Sequence, residues 1–298
     1  MHKPVLLNEV LEYLGPHHGD FIIDGTVDGG GHAQAIVSSI GSTGKFLGLD
    51  WDERLLAECR ERFASHEEGG KNIFLVHGNY ADLPEILHAK KLGTADGLLI
   101  DLGFSSEQLE NSGRGFSFSE SSYDEPLLMT YDDSRTPVHE IIRGMSEKEL
   151  ADIIFEFGGE RGSRRIAKAI KEAGKKQPIM TSGQLAEVVR GALPKSYEHG
   201  RIDAATRTFQ AFRIYANGEL ENLKTLLNEL GDIVKPGGRV AIISFHSTED
   251  GIVKKAFQSL AKGEKITILT KKPISASREE IKNNPRSRSA KLRAAVLL

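Results

Sequence analysis

The sequence has one cysteine, Cys59, and no long apolar run among its 298 residues. A single cysteine excludes an internal disulfide and any metal cluster built on cysteine ligands. No stretch approaches the roughly 20 apolar residues that a membrane helix needs. The apolar pattern of residues 1–14 is interrupted by Glu9 and Glu12, which is unlike a signal peptide. We therefore expect a cytoplasmic protein with no membrane partner.

The charge is low overall but unevenly distributed along the chain. The net charge of −3 argues by itself against a nucleic-acid partner. From Lys254 to the C-terminus, however, twelve lysines and arginines accompany three acids, so this segment has a charge of +9 and the rest of the chain −12. The asymmetry indicates either a solvated, partly flexible tail or a surface that binds nucleic acid.

A short apolar run followed by a glycine-rich loop points to a nucleotide-like ligand. Residues 21–23 are apolar, residues 24–32 contain four glycines, and residues 33–40 have helical spacing. A loop of this kind presents backbone N–H groups and lets a ligand come close. The next apolar run ends at Asp50, at the spacing where a carboxylate binds both hydroxyls of a ribose. Together they indicate a cofactor that contains adenosine.

Helical and extended patterns alternate in the first third of the chain, which predicts a doubly wound parallel sheet. Residues 104–135 lack a clear period and are too long for an ordinary loop, and three helical stretches follow them. We predict a Rossmann-like α/β domain formed by residues 1–105 and 207–298, interrupted by a mostly helical substrate-recognition domain at residues 106–206. One long helix over about residues 206–230 should lead back into the sheet.

The later segments favour a methyl donor over a nicotinamide dinucleotide. The turn at residues 235–238 before an apolar strand is common in S-adenosylmethionine-dependent methyltransferases, as is a pair such as Asn79-Tyr80 placed to cover an adenine. Asp101 ends the fourth strand, where an acceptor can hold the N–H of an exocyclic base amine and bias its nitrogen toward tetrahedral geometry. Methylation at carbon 5 of cytosine needs a cysteine nucleophile, and Cys59 is expected in mid-helix, far from the strand tips.

Several blocks of the sequence match one family. The matching blocks are residues 24–32, 101–109, 114–118, 205–214, 244–254 and 284–293. On these residues the chain resembles the RsmH (MraW) family over positions 4–293. The resemblance implies a class I S-adenosylmethionine-dependent methyltransferase that modifies N4 of a cytidine in the decoding region, at the P site, of 16S ribosomal RNA within the small ribosomal subunit.

The resemblance also implies which residues form the site. The residues expected to bind S-adenosyl-L-methionine are Gly30, Gly31, His32, Asp50, Tyr80, Asp101 and Gln108. Those expected to act in catalysis are Asp101, His246 and Asn217. Asp101 has two candidate roles, which are to hold the cofactor and to contact the target amine. His246 is expected either to orient the cytidine or only to close a turn.

Basic residues in three regions are expected to contact the RNA. They are Arg161, Arg165, Arg207, Arg213, Arg286, Arg288, Lys291 and Arg293. Solvated, exposed faces are the alternative explanation for each group. No His, Asp or Glu cluster has the spacing of a metal site. A homodimer is left open as the form of assembly.

Several positions depart from the family pattern. Asp28 stands where the loop usually has its first glycine, and we expect the turn to survive because Asp tolerates left-handed backbone angles. Leu128, Thr130 and Asp203 replace other residues in segments expected to meet the RNA. These departures leave open a ribosome-assembly protein that binds RNA without turnover. A nicotinamide-dependent dehydrogenase is the second alternative, although no catalytic His/Arg or Tyr/Lys arrangement is evident.

Overall fold

The computed structural model describes residues 3–64, 72–103, 112–194, 197 and 203–298. The chain divides into two compact units, one formed by Met1–Gly103 with Leu220–Leu298 and the other by Phe104–Glu219. Within the described ranges, no helix is both long and apolar enough to cross a membrane.

The helices and strands of the described residues are numbered here in chain order. The strands are β1 (Phe21–Asp24), β2 (Lys45–Asp50), β3 (Ile73–His77), β4 (Ala95–Asp101), β5 (Val234–Ser244), β6 (Ile266–Ile268) and β7 (Lys291–Leu297). The helices are α1 (Leu7–Leu14), α2 (Gly31–Ile40), α3 (Glu53–Ala64), α4 (Leu83–Lys90), α5 (Val138–Gly144), α6 (Glu147–Gly158), α7 (Ser163–Lys176), α8 (Ser182–Ala192), α9 (Ala204–Asn217), α10 (Glu219–Asn228), α11 (Leu230–Ile233), α12 (Ser247–Lys262) and α13 (Arg278–Asn283).

The first unit contains a seven-stranded sheet with the order β3-β2-β1-β4-β5-β7-β6. Strands β1 to β5 pair in parallel, and β7 runs antiparallel to both β5 and β6. The parallel strands are apolar along most of their length because helices cover both faces of the sheet. Alternate strand residues enter two separate apolar clusters, one with α1, α2 and α3 and the other with α4, α10 and α12.

The strand order reverses between β1 and β4, which makes the carboxyl ends of these two strands the expected position of a ligand. Asp24, Asp50 and Asp101 are the last residues of β1, β2 and β4. The parallel register therefore brings three carboxylates to one edge of the sheet. The predicted class I, Rossmann-like fold is confirmed.

The basic C-terminal segment is not a flexible tail. Residues 291–297 form β7, which lies between β5 and β6 and pairs with β5 from Arg239↔Val296 to Ser244↔Lys291. The expectation of a solvated tail is wrong for this strand, because its backbone groups are hydrogen-bonded to two neighbours and most of its side chains are buried.

The long helix predicted over residues 206–230 is divided into α9, α10 and α11. Gly218 ends α9 in the left-handed conformation (φ 62°), and its N–H donates to the carbonyls of Ile214 and Tyr215. The division of the chain also differs from the boundary predicted at residue 207. Helix α9 belongs to the second unit because Phe209 and Phe212 are part of its apolar core.

The second unit is built mainly from α5 to α9 around that core. Two of its helices begin with a capping box. The Ser146 hydroxyl accepts the Glu149 N–H, and the Thr181 hydroxyl accepts the Gln184 N–H. In turn, the side chains of Glu149 and Gln184 accept the backbone N–H groups of Ser146 and Thr181. These caps explain why the helices begin where they do.

Candidate functional site

The loop after β1 keeps its turn despite the aspartate in place of glycine. Asp28 adopts a left-handed backbone conformation with φ 48°, and its N–H donates to Asp50 Oδ2 over 2.9 Å. The Val27 N–H donates to the Leu49 carbonyl. These bonds attach the loop to the end of β2, so the expectation that Asp28 preserves the turn is confirmed.

Asp50 is held by two backbone donors at the end of β2. Its Oδ1 accepts the Asp52 N–H over 2.9 Å and its Oδ2 accepts the Asp28 N–H. Burial raises the pKa of Asp50 to about 7, against the lowering effect of these two bonds. Each carboxylate oxygen has two lone pairs and accepts one of these bonds, so each retains capacity for a hydroxyl donor. This matches the predicted role in binding a ribose.

Asp24 is a fully buried carboxylate at the end of β1. Its Oδ1 accepts the Thr26 N–H over 3.1 Å, whereas its Oδ2 has no hydrogen-bond partner among the described residues. Burial raises the pKa of Asp24 to about 7. A buried polar atom without a partner destabilises the fold. This geometry indicates a ligand that supplies a positive charge or a hydrogen-bond donor.

Two aromatic side chains stack on each other near the end of β2. The Trp51 and Tyr80 rings are stacked, with centroids 6.2 Å apart and an interplanar angle of 28°. Tyr80 is buried at the start of a short 3₁₀ turn, Tyr80–Asp82, which Asn79 caps by accepting the Ala81 N–H. Tyr80, which follows β3 as predicted, therefore stacks on Trp51, the residue directly after the acid that ends β2.

Asp101 ends β4 next to the loop that follows β1. Its N–H donates to Thr26 Oγ1 over 2.7 Å, and its Oδ1 accepts the Gly103 N–H over 3.0 Å. Burial, together with the carboxylates of Asp28, Asp24 and Glu249, raises the pKa of Asp101 to about 8, against the lowering effect of the Gly103 N–H. The side chain retains 14% exposure, so it can meet a ligand at the edge of the sheet.

His32 is buried in the first turn of α2 and contacts Asp101. Its Nε2 lies 2.9 Å from the Val5 carbonyl oxygen, and its Nδ1 lies 3.8 Å from Asp101 Oδ2. The ring is thus held by the N-terminal segment and faces the end of β4. A direct contact of His32 with the cofactor stays a prediction.

Gly30 and Gly31 are required by packing within the protein itself. Gly30 has φ 77°, and a Cβ there would lie 3.1 Å from Cys59 Sγ. A Cβ at Gly31 would lie 2.9 Å from Pro4 Cδ. Their predicted backbone contacts with a cofactor are not excluded by this packing and stay predictions.

Cys59 lies on α3 as predicted, but it is not remote from the strand tips. Its Sγ donates to the carbonyl of Asp28, a residue of the glycine-rich loop, over 3.3 Å. The expected separation is wrong because α3 packs against this loop. The thiol is fully buried, and burial raises its pKa to about 12. Burial, rather than distance, makes it unsuitable as a nucleophile.

His246 closes a turn at the N-terminus of α12. Its Nδ1 accepts the Glu249 N–H over 3.4 Å, and Glu249 Oε2 accepts the backbone N–H groups of Phe245 and His246. His246 Nε2 lies 2.9 Å from Glu249 Oε1, but the two atoms are not aligned as a hydrogen bond. The structural role expected for His246 is present, and the orientation of a cytidine stays a prediction.

In the second unit, Asn217 is buried and holds a neighbouring segment. Its Oδ1 accepts the Tyr131 N–H, and its Nδ2 donates to the carbonyls of Met129 and Arg213, all within 2.9 Å. Arg213 forms a bidentate salt bridge with Glu219, in which Nε donates to Oε1 and Nη2 donates to Oε2, each over 2.9 Å. Asn217 thus holds the segment at residues 129–131 against α9, and Arg213 is tied to Glu219, the residue that begins α10. Their predicted roles in catalysis and RNA contact stay predictions.

Arg207 contacts a buried acid in the same unit. Its Nη1 lies 3.4 Å from Glu160 Oε2, while Glu160 Oε1 accepts the Gly162 N–H and the Tyr197 hydroxyl. The Arg207 side chain keeps 44% exposure, so the ion pair with Glu160 leaves part of the guanidinium accessible.

The other predicted RNA-binding residues differ in exposure. Arg161, Arg165 and Arg288 are exposed, and Arg286 is partly buried. Arg293 is 7% exposed. Gln108 lies outside the described residues. In the described part of the chain, no three His, Cys, Asp or Glu side chains are grouped to hold a metal ion.

A family model described as the MraW methylase family matches residues 1–297. The chain belongs to this family. The chain is 43% identical over 310 residues to Ribosomal RNA small subunit methyltransferase H of Syntrophus aciditrophicus (strain SB), which covers 99% of this chain and 96% of that protein. It is also 43% identical over 307 residues to the protein of the same name in Ehrlichia chaffeensis (strain Arkansas), with 99% of both chains covered.

S-adenosylmethionine is the cofactor of this MraW methylase, and the residues present fit it. The unpartnered Asp24 Oδ2 and the remaining acceptor capacity of Asp50 suit a ligand that is both cationic and rich in hydroxyl donors. The predictions of the family and of the cofactor are confirmed, and the dehydrogenase alternative is set aside.

Sequence reasoning did not single out Asp24 or Trp51 as site residues. The sequence does contain an indication for each of them. Asp24 is an acid at the end of an otherwise apolar run, and Trp51, the only tryptophan in the sequence, directly follows Asp50. The contact of Val5 with His32 had no such signal, since the two residues are separated by 27 positions.

Proposed function

We propose that this protein transfers a methyl group from S-adenosylmethionine to N4 of a cytidine in the decoding region of 16S ribosomal RNA. The observation that carries the proposal is the position of the Asp101 carboxylate. Its side chain is 14% exposed and lies at the end of β4, beside the loop after β1. The relatives named Ribosomal RNA small subunit methyltransferase H support ribosomal RNA as the substrate. The predicted location in the cytoplasm, on the small ribosomal subunit, is part of this proposal.

Three side chains bind and orient the cofactor in this proposal. Asp50 accepts the ribose hydroxyls, Tyr80 covers the adenine, and Asp24 Oδ2 accepts a donor from the methionyl part. S-adenosylmethionine supplies an electrophilic methyl group on a positively charged sulfur. The backbone bonds that fix Asp50 and Asp24 hold these acceptors in place before the ligand arrives.

Asp101 acts on the target amine. The lone pair of an exocyclic amine is delocalised into the base, so the nitrogen is a poor nucleophile. A carboxylate oxygen that accepts one N–H bond biases the nitrogen toward tetrahedral geometry and is placed to take the proton that the nitrogen loses after methylation. This requires the ionised form of Asp101.

Attack at carbon 5 is disfavoured by the state of Cys59. That chemistry needs a thiolate in contact with the base. The Cys59 thiol is fully buried on α3, donates to the Asp28 carbonyl, and has a pKa raised to about 12 by burial. Direct attack by the amine requires no cysteine.

Phosphate contacts are proposed at the start of α7 and near the C-terminus. The first turn of α7 contains Arg164 and Arg165, has no acid, and has no side-chain cap. Basic residues at a helix N-terminus oppose the helix dipole, whereas a phosphate there is favourable. The exposed Arg161 and Arg165 are therefore better explained by phosphate binding than by helix stability. Arg288 offers a second exposed contact.

The proposal is tested by incubating purified small ribosomal subunits that lack the modification with the protein and S-adenosylmethionine carrying a labelled methyl group. We expect N4-methylcytidine in nuclease digests analysed by mass spectrometry, and its loss with Asp101→Asn. Carbon-5 methylcytidine or a methylated adenine would contradict the amine mechanism. Cofactor binding without any transfer would favour an assembly protein that binds RNA without turnover.

A further inference from the structure

Glu160 is a fully buried acid between α6 and α7 in the second unit. Its Oε1 accepts the Gly162 N–H over 2.6 Å and the Tyr197 hydroxyl over 2.5 Å. Its Oε2 accepts a hydrogen bond from Nη1 of Arg207 on α9 over 3.4 Å. Within the described ranges, Arg207 is the one cation recorded at ion-pair distance from this acid. A buried charge therefore joins the segment before α7 to one arginine of α9.

The negative charge of Glu160 is needed for Arg207 and not for the other two contacts. A glutamine amide oxygen has two lone pairs, so it could accept both the Gly162 N–H and the Tyr197 hydroxyl. A buried ion pair contributes little stability by itself, because the cost of removing charges from water offsets their attraction. What the carboxylate adds, and an amide cannot, is an attraction that holds the guanidinium in one place.

Arg207 is fixed at its backbone and accessible at its guanidinium. Gly158, the last residue of α6, packs on Arg207, since a Cβ at position 158 would clash with the Arg207 carbonyl oxygen. The Arg207 side chain nevertheless keeps 44% exposure, and Glu160 uses one of its five N–H donors. The donors of a guanidinium lie in a rigid plane, whose geometry matches two oxygens of a phosphate.

The surface around this pair is basic. Residues 157–171 contain five lysines and arginines and one acid, Glu160. Because Glu160 is buried, the exposed charged side chains of this segment are all basic, namely those at positions 161, 164, 165 and 168. A surface of like charges attracts a polyanion. The one acid of the segment is thus placed where it orients an arginine without repelling an RNA backbone.

We propose that Glu160 is a positioning residue, which holds the Arg207 guanidinium ready for a phosphate of the RNA. The inference rests on the proposed function, which supplies ribosomal RNA as the partner. Arg207 bridges two anions, with Nη1 on Glu160 and other donors on the phosphate oxygens. Since the side chain is already held before the RNA binds, less conformational entropy is lost in forming the contact.

Glu160→Gln distinguishes positioning from net charge, because the two explanations predict opposite signs. The variant removes a negative charge, so a surface that acts only through its net charge would bind RNA more tightly. We expect instead that the affinity for a decoding-region fragment of 16S ribosomal RNA falls about ten-fold, the lower end for a hydrogen bond to a charged group. The slope of log affinity against log salt should become shallower by about 0.7, the value for one phosphate contact to a single strand. Unchanged or tighter binding would overturn the proposal.

Glu172→Gln is the matched control for the change of charge. Glu172 lies on α7, is exposed, and pairs with Lys168 over 3.8 Å, so this variant loses the same charge without touching Arg207. Its RNA affinity should stay within about two-fold of the wild type or be tighter. In an Arg207→Gln protein, adding Glu160→Gln should change the affinity by less than about two-fold, because both substitutions remove one contact. Independent, additive losses would contradict the pairing.

A second readout needs no variant of Glu160. The guanidinium N–H signals of Arg207 are followed by NMR in the wild-type protein and assigned by their absence in Arg207→Lys, which keeps the charge that Glu160 requires. A saturating amount of the RNA fragment should shift these signals, and unshifted signals would contradict the phosphate contact.

The binding measurements are made without cofactor, so they are independent of the methylated product. A product other than N4-methylcytidine contradicts the proposed function and leaves the pairing of Glu160 with Arg207 intact. N4-methylcytidine from the wild-type protein, together with unchanged RNA affinity in Glu160→Gln, contradicts only the role of Glu160.

Discussion

Arg293 on β7 and Asp250 on α12 form a buried ion pair, in which Nε donates to Oδ1 over 2.7 Å. Lys291 lies 3.4 Å from the other oxygen of the same carboxylate. Hydrogen bonds and charges from these two bases hold the pKa of Asp250 below its usual range. Two of the basic residues expected to contact RNA therefore attach the last strand to a helix of the first unit.

Substitution at Arg293 should destabilise the fold, whereas substitution at Arg288 should affect RNA binding. Arg293→Gln leaves a buried carboxylate with one cation fewer, which costs about 1–3 kcal/mol of unfolding free energy. The matched control Arg288→Gln changes an exposed residue and should stay within about 0.5 kcal/mol. Urea denaturation measures both.

RNA binding by Arg288→Gln should weaken and become less dependent on salt as a phosphate contact is lost. Equal salt slopes in Arg288→Gln and the wild type would count against this contact.

Asp24→Asn should stabilise the protein in the absence of cofactor, and the gain should depend on pH. The folded-state pKa of Asp24 is raised from 3.8 to about 7, so the folded state binds one more proton than the unfolded state between these values. The wild-type protein therefore loses stability as the pH rises from about 4 to about 7, whereas Asp24→Asn lacks this loss.

At pH 8 we expect Asp24→Asn to raise the free energy of unfolding by about 1–3 kcal/mol. This is less than the raised pKa of Asp24 alone implies, because the buried amide also lacks partners. Thermal denaturation at pH 5 and pH 8 measures it. The same variant should bind S-adenosylmethionine more weakly, since an acceptor is lost. A variant that is less stable than the wild type at both pH values would contradict an unpartnered buried charge.

Asp50→Asn should weaken cofactor binding by about 1.5–3 kcal/mol, the range for hydrogen bonds to a charged group. The amide can still accept one of the two backbone bonds that hold the loop, so the fold should persist. Asp96→Asn is the matched control, because Asp96 accepts the Phe21 N–H and pairs with Lys235 at the opposite edge of the sheet. Titration calorimetry with S-adenosylmethionine should separate the two variants, and equal affinities would refute the assignment of Asp50.

Cofactor affinity should also rise with pH. Burial raises the pKa values of Asp24, Asp50 and Asp101 to between about 7 and about 8, so all three gain negative charge between pH 6 and pH 9. A cationic ligand binds the ionised forms better. Calorimetry across this range should show tighter binding at higher pH, and a flat dependence would indicate that the three carboxylates do not face the ligand.

Cys59→Ser should retain methyl transfer. The serine hydroxyl can still donate to the Asp28 carbonyl, so the contact beneath the glycine-rich loop persists. The wild-type thiol should resist alkylation at pH 8, because it is fully buried and its pKa is raised to about 12. Mass spectrometry after iodoacetamide treatment checks the second expectation. Loss of transfer in a folded Cys59→Ser protein would reopen a cysteine mechanism.

Local patterns predicted the parts of this fold that depend on neighbouring residues. The strand ends at Asp24, Asp50 and Asp101 could be located because short apolar runs stop at acids or glycines, and the parallel arrangement follows from alternation with helices. The break at Gly218 also had a local signal, a glycine at a helix C-terminus, which the prediction of one long helix overlooked.

The sequence by itself determined the family, the cofactor and the edge of the sheet at which the carboxylates meet, because these depend on short blocks and on strand periodicity. Only the tertiary structure decided which partner each charged group has. Arg293 meets Asp250 across 43 positions, Cys59 reaches the loop at Asp28, and His32 lies between Val5 and Asp101. Such contacts arise where separate helices and strands pack together, so no local pattern of residues encodes them.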